Sequence, residues 1–518
     1  MIDGPVARFL NRIERGLGHR LAPYLFAIAT VALIGWLWGS LNPLPWVYDE
    51  AAYLLQAKIF ATGHWAAAGR PLPEFFEQVH VLVTPKLVPK YPPGHALLMV
   101  PGIWLGASAL VPLLFTMVTG GLVFGFSRAL VNPWVGGLTW LVWITAPEEL
   151  YIRPSYLSET STTLIWLLAW WTLSRWRKGG APRWLAATGA LAGLGLLVRP
   201  ITALALLLPI LVVVMGDCAR KRRWRDLVGP IVAAAPIVAL APIWSYQTSG
   251  RVYPTPYSEY SRVYVPWNMP GFTVDTSPPL RPPIPALEKF KREWLPTHRA
   301  HTLPNLPAIV WERLAGIGET MWGGGWRWIL LGGVVAGLAA IPGELGLVLV
   351  SGGVLFGAML WLASKPLWTV YYLEVFPALA MVTAIGTWRI AGWIATRINR
   401  PWVGPALLVG GALVSVPGIA HRVALAKEDQ VDFRLVATDL ARAIDSIPGK
   451  AIIFIYPGPS HRPYESYVTN EPDLDATRVW VVHDRGDDNE RLRRLAPDRA
   501  AYRFDPGDGS LHPLEPLR

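Results

Sequence analysis

The sequence predicts a mainly α-helical, polytopic membrane protein: about eleven transmembrane helices followed by a small extracytoplasmic α/β domain at the C-terminus. Three observations carry this expectation. Of 518 residues, 52% are hydrophobic and only 16% charged, with a mean hydropathy of +0.33; an ordinary soluble domain carries about 25% charged residues. Apolar runs of spanning length recur through residues 1–420. Lys and Arg gather at alternate connections between those runs, as the positive-inside rule requires.

In hydrocarbon every backbone amide must find its partner inside the protein, so the apolar runs should be helices. Spans are expected near 21–41, 108–130, 133–147, 157–175, 184–198, 200–216, 227–246, 327–341, 344–363, 367–388 and 402–420. The closely spaced pairs 184–198/200–216 and 327–341/344–363 leave the count open by about one or two. The first apolar stretch, Leu21–Leu41, is long enough to span, and no cleavable signal peptide is evident.

The basic clusters are Arg8, Arg12, Arg15 and Arg20; Arg175, Arg177, Lys178 and Arg183; Arg220–Arg223 with Arg225; and Arg389, Arg397 and Arg400. All four share one face if the N-terminus is cytoplasmic. The net charge of +11 therefore reads as topology signal and headgroup contact, and nucleic acid is not an expected partner. The 27 tryptophans suit the bilayer interfaces. A single cysteine, Cys218, excludes an intrachain disulfide.

The opposite face receives the loop 42–107, the loop 247–326 and the tail 421–518. In the tail, Val431–Ile447 has helical periodicity, Ala451–Tyr456 and Arg478–Val482 read as buried strands, and Ala501–Phe504 as a weaker one. The expected organisation is a transmembrane domain over 1–420 and an extracytoplasmic α/β domain over 421–518.

Chemistry concentrates in the first loop. Tyr48-Asp49-Glu50-Ala51-Ala52-Tyr53 places two carboxylates just after the first span. Acids at the bilayer edge are costly unless solvated, paired or used. A carboxylate here can take a proton from an acceptor hydroxyl, bind a divalent cation, or cap the next helix. Further on, Lys86 and Lys90-Tyr91-Pro92-Pro93-Gly94-His95 precede Ala96–Leu105, an apolar stretch too short to span. A lysine there suits a phosphate at the membrane surface; the plain alternative is a Pro-rich turn with snorkelling lysines.

Taken together, the acidic pair, the Pro-Pro-Gly element some forty positions later and the string of helices resemble the GT-C glycosyltransferases. The similar branch is that of protein O-mannosyltransferases and lipid A aminoarabinose transferases. Arg153-Pro154-Ser155-Tyr156, the hairpin around Val198-Arg199-Pro200, and Lys365–Pro377 also look like that family, as do Tyr456-Pro457-Gly458 and Asn470–Asp475 in the tail. The resemblance implies a GT-C-like transmembrane domain and a polyprenyl-phosphate sugar donor. It implies Asp49 as the base, with Glu50 beside it as a second catalytic candidate. Lys90, Arg199 and Lys365 are the implied donor-phosphate ligands. Glu77, His80, Tyr91, Tyr372 and Glu374 are the implied pocket residues, with Tyr371 next to them. The aminoarabinose branch carries lysine directly before Pro-Pro; here Tyr91 stands there and Lys90 one position earlier.

Other polar groups carry less. Glu148, Glu149, Arg153 and Glu159 read as a solvated loop. His298 and His301 lack further metal ligands, so no cofactor is called for beyond an open question of a divalent cation. His461, Tyr464, Tyr467 and His483 decorate the tail. No Walker or dinucleotide loop is present. The expected function is transfer of a sugar from a polyprenyl-phosphate donor to a lipid, glycan or protein acceptor hydroxyl, with inversion. The chain would sit in a bacterial plasma membrane, acting on its outer side. The rivals are a lipid or glycan transporter or flippase, and a polysaccharide polymerase component.

Overall fold

The computed structural model describes residues 4–281, 284–323, 330–456 and 467–515. It is mainly helical, and a helix stands at each expected span. The basic helix α1 (Pro5–Gly18) meets the apolar α2 (Ala22–Trp38) at 84°. The first loop carries α3 (Tyr48–Ala61) and α4 (Gly94–Trp104). Then follow α5 (Leu110–Leu130), α6 (Pro133–Ile144), the short α7 (Pro147–Ile152), α8 (Glu159–Arg177), α9 (Pro182–Val198), α10 (Pro200–Lys221) and α11 (Val228–Ser249). Helices α12 (Pro256–Tyr264), α13 (Pro285–Ala300) and α14 (Leu306–Trp322) occupy the second loop. The bundle closes with α15 (Leu330–Leu338), α16 (Gly343–Met359), α17 (Phe376–Arg397) and α18 (Val403–Asp432).

Among the described residues, five segments are long and apolar enough to cross a membrane alone: α5, α10, Trp224–Ser249, Thr369–Arg397 and α18. Counting the bent pairs α1/α2 and α15/α16 as single spans raises this to seven. The expected eleven is reached only in part, for local reasons. Helix α6 stops at Ile144 because Pro147 disfavours helical backbone just before it. Helix α8 opens on the polar run Glu159-Thr-Ser-Thr-Thr. The pair α15/α16 turns through 110° at Pro342-Gly343, and residues 327–329 of that expected span lie outside the described residues. Helix α18 continues to Asp432, past the expected end at 420.

Small residues let the helices close on one another, as membrane packing favours. A Cβ on Gly386 of α17 would fall 1.8 Å from the Gly333 carbonyl oxygen of α15. Helix α8 begins at Glu159 at one end of the bundle and finishes at Arg177 at the other. At the Arg177 end, Arg177 pairs with Asp217 (2.8 Å), Arg223 with Asp226 (2.6 Å) and Lys178 with Glu344 (2.9 Å). At the Glu159 end, Arg199 between α9 and α10 meets Glu159 itself.

The same end carries two sheets. In the first loop, β1 (Ala67–Ala68), β2 (Val81–Leu82) and β3 (Lys86–Pro89) form an antiparallel sheet in the order β1-β3-β2. In the tail, α19 (Leu435–Ser446), β4 (Ala451–Ile455), β5 (Val479–His483), α20 (Asn489–Leu495), β6 (Ala500–Asp505) and β7 (Ser510–Pro513) build a second sheet, ordered β5-β4-β6-β7. Strand β4 is parallel to both neighbours, and β7 closes an antiparallel hairpin that the sequence pattern did not announce. The tail core borrows from the loop: Phe75 and Phe76 are buried among Ile452, Phe454, Trp480 and Val482. Burying each phenylalanine contributes roughly 1.5–3 kcal/mol.

Candidate active site

Asp49 lies in the first turn of α3. Its side chain is 41% exposed while its neighbours are buried, so it faces an open space walled by the protein. One carboxylate oxygen accepts the Tyr91 hydroxyl, and the other lies 3.6 Å from His80 Nε2. Burial alone would raise this carboxyl; His80, Tyr91 and Lys90 outweigh it and hold Asp49 well below the usual carboxylate range. The acid is therefore ionised throughout the working range. His80 is pushed below its ordinary value by burial and by Lys90, against the opposing pull of Asp49.

Glu50 does not join Asp49. It is fully buried, and its two oxygens accept the backbone amides of Trp46 and Tyr156, each at 2.8 Å. Three positions into the helix after Val47, it reaches back as a capping-box acid does. Capping thus describes Glu50 and not Asp49, and this corrects the reading of the two acids as one catalytic pair.

Lys90 is 4% exposed. Its ammonium sits over three tyrosine faces, Tyr91 at 5.1 Å, Tyr257 at 4.8 Å and Tyr260 at 5.1 Å, a cation–π cage. No hydrogen-bond acceptor reaches it among the described residues. Burial brings it down to about 8, opposed by Asp49. Tyr91 stacks on Tyr53 at 4.5 Å, and Tyr53 donates to Ser158 at 3.0 Å. Both residues of the departing Lys-Tyr motif therefore touch the site, the tyrosine through Asp49 and the lysine as its cation.

The Pro-Pro-Gly element has a packing reason. A Cβ on Gly94 would lie 2.7 Å from the Leu197 carbonyl carbon. Only glycine lets the start of α4 rest on the end of α9, two residues before Arg199. Arg199 ion-pairs with Glu159, lies 5.9 Å from the Tyr371 ring, and feels Glu374 as well. Glu374 accepts from Thr162. One oxygen each of Glu159 and Glu374 is buried with no hydrogen-bond partner among the described residues.

The remaining expected residues scatter. Glu77 pairs with Arg281 at 3.0 Å, and burial raises it to about 7 against that charge. Lys365 pairs with Glu293 and covers Trp294 at 5.1 Å. Tyr372 turns towards Arg313 (3.4 Å), and the pocket position falls to its neighbour Tyr371. His461 and Tyr464, with Pro457-Gly458, lie outside the described residues. Glu159 is the main miss: it is buried against Arg199, not solvated. Its signal was the acid opening a polar helix start. Tyr257 and Tyr260 gave none beyond an aromatic-rich loop. Among the described residues, no three His, Cys, Asp or Glu side chains are grouped to hold a metal ion.

A family model described as dolichyl-phosphate-mannose-protein mannosyltransferase matches residues 97–246, the stretch that carries Glu159 and Arg199. The crystal structure of ArnT from Cupriavidus metallidurans bound to undecaprenyl phosphate aligns over 94% of this chain and 94% of that one, with 14% identity and a TM-score of 0.52. The chain shares the fold of that structure. The apo form of ArnT aligns over 93% of this chain and 92% of that one, with 13% identity and the same TM-score. No curated protein sequence matches. Both comparisons point the same way as the GT-C resemblance read from the sequence, and with its several apolar helices the chain is a multi-pass membrane protein.

Proposed function

We propose that this GT-C chain transfers a sugar from a polyprenyl-phosphate donor to an acceptor hydroxyl, by direct displacement with inversion. The observation that carries the reading is an ionised Asp49 and an acceptor-less Lys90 ammonium on one open, tyrosine-lined face at the bundle end. The ArnT structure that shares the fold contains undecaprenyl phosphate, a ligand of the chemistry such a face would take. The acids and cations of the site stand at one bundle end, at the termini of helices, which favours an enzyme over a transporter, whose binding site belongs near the bilayer midplane.

The parts divide as follows. Lys90, and Arg199 once the donor draws it from Glu159, neutralise the phosphate, where charge builds as the glycosidic bond breaks. Asp49 receives the acceptor proton. A carboxylate held so low is a weak base in the free enzyme. A bound phosphate engages Lys90 and adds negative charge nearby, and both effects raise the basicity of Asp49. Donor binding thereby switches on the base. Glu50 positions Asp49 from below. The basic end, with α1, faces the cytoplasm of a bacterial cell; the site and the α/β tail face outward.

The test is transfer from a radiolabelled polyprenyl-phosphate sugar by the purified chain in nanodiscs. Wild type should move label to a hydroxyl acceptor, and Asp49→Asn should not, at equal folding. Lipid movement across vesicles without any transfer would establish the transporter reading instead.

A further inference from the structure

Resting on that functional reading, we propose that the C-terminal domain is a working part of the reaction centre, with His483 as the positioning residue that holds His80 against Asp49. His483 ends β5. Its Nε2–H donates to the backbone carbonyl of Glu77 at 2.6 Å. Three residues on, His80 adopts a left-handed backbone, φ 69°, which few non-glycine residues accept and which persists only where surroundings impose it. The turn is gripped on both sides. Before it stands the His483–Glu77 bond; after it, Lys90 N–H donates to the His80 carbonyl at 2.9 Å. The His80 ring is thereby delivered 3.6 Å from Asp49.

The tail holds the approach to this turn firmly enough to transmit position. Phe75 and Phe76 sit in its core. Arg70 donates to the Glu471 carbonyl at 2.6 Å and to the Pro472 carbonyl at 3.2 Å. Arg491 pairs with Glu74 at 3.2 Å, and Lys58 with Glu471 at 2.5 Å. The segment from Arg70 to Glu77 is therefore clamped to the tail along its length, and His80 follows directly. Burial keeps His483 low, at about 4, so it stays a neutral donor at working pH. The titratable groups facing Asp49 are His80, Lys90 and Tyr91, with Tyr53, Tyr257 and Tyr371 further out.

The test uses the full chain in nanodiscs with His483→Phe, which keeps the ring and removes the donor, and His483→Gln, which restores an N–H at the same reach. The Phe variant should lose about tenfold or more in kcat with donor KM little changed. Its acid limb of kcat should move to higher pH, because Asp49 loses one of the groups that hold it down. The Gln variant should behave as wild type. Amide hydrogen exchange over residues 77–82 should quicken about fivefold or more in the Phe variant alone. Unchanged kcat and pH profile in the Phe variant, equal damage in both variants, or unchanged exchange would overturn the proposal. Quickened exchange in the Phe variant together with no sugar transfer by wild type would sink the glycosyltransferase reading and leave the clamp standing.

Discussion

Two lysines at the same end of the bundle, Lys90 and Lys365, look alike in sequence: each stands in a proline- and aromatic-rich stretch beside an apolar helix. Their surroundings differ. Lys365 pairs with Glu293 over a single indole. Lys90 meets only tyrosine faces and the nearby field of Asp49, with no acceptor on its ammonium among the described residues. Lys365 is already compensated and contributes structure, at the modest level of a partly exposed pair. Lys90 is a buried cation whose hydrogen-bonding capacity is open towards the space that Asp49 also faces. The difference teaches that a membrane-edge lysine becomes a candidate ligand through what fails to neutralise it.

Four tests bear on this contrast. The largest effect belongs to Asp49→Asn, which removes the base from the Lys90 side and should lower kcat by about a thousandfold, read in single-turnover transfer. Next, Lys90→Met should lower kcat/KM about 10- to 100-fold, the worth of a charge-assisted phosphate contact. Lys365→Met should change it by less than about threefold. Equal losses in the two variants would erase the distinction.

The third concerns pH. Lys90 is lowered to about 8, so its ammonium is present below that value and lost as pH rises through it. Donor KM should therefore climb above pH 8, and Lys90→Arg, charged throughout, should remove that limb. The smallest effect is Tyr91→Phe. It deletes one hydroxyl donor to Asp49 and should slow transfer about two- to tenfold, with the acid limb of kcat moving upward.

Much of this was legible. Tyr48-Asp49-Glu50 and Lys90–His95 announced the acid and the cation, and Arg199 and Glu374 stood in apolar stretches where charge is rarely idle. The rest was not, for identifiable reasons. Hydropathy measures how greasy a stretch is, not whether it bends, so the 84° and 110° turns were invisible. Adjacent acids cannot be told apart by type; only the backbone amides that Glu50 receives separate it from Asp49. The same holds for Tyr371 and Tyr372, which leave their turn in different directions. Strands of two residues, β1 and β2, carry no readable alternation. The loan of Phe75 and Phe76 to the tail core is a tertiary fact with no local signature.

The account depends most on Lys90 receiving a lipid-borne phosphate, and equilibrium binding of undecaprenyl phosphate to the nanodisc-embedded chain measures this without chemistry. Wild type and Lys365→Met should bind alike and Lys90→Met at least about tenfold more weakly. Equal affinity for all three would contradict the assignment.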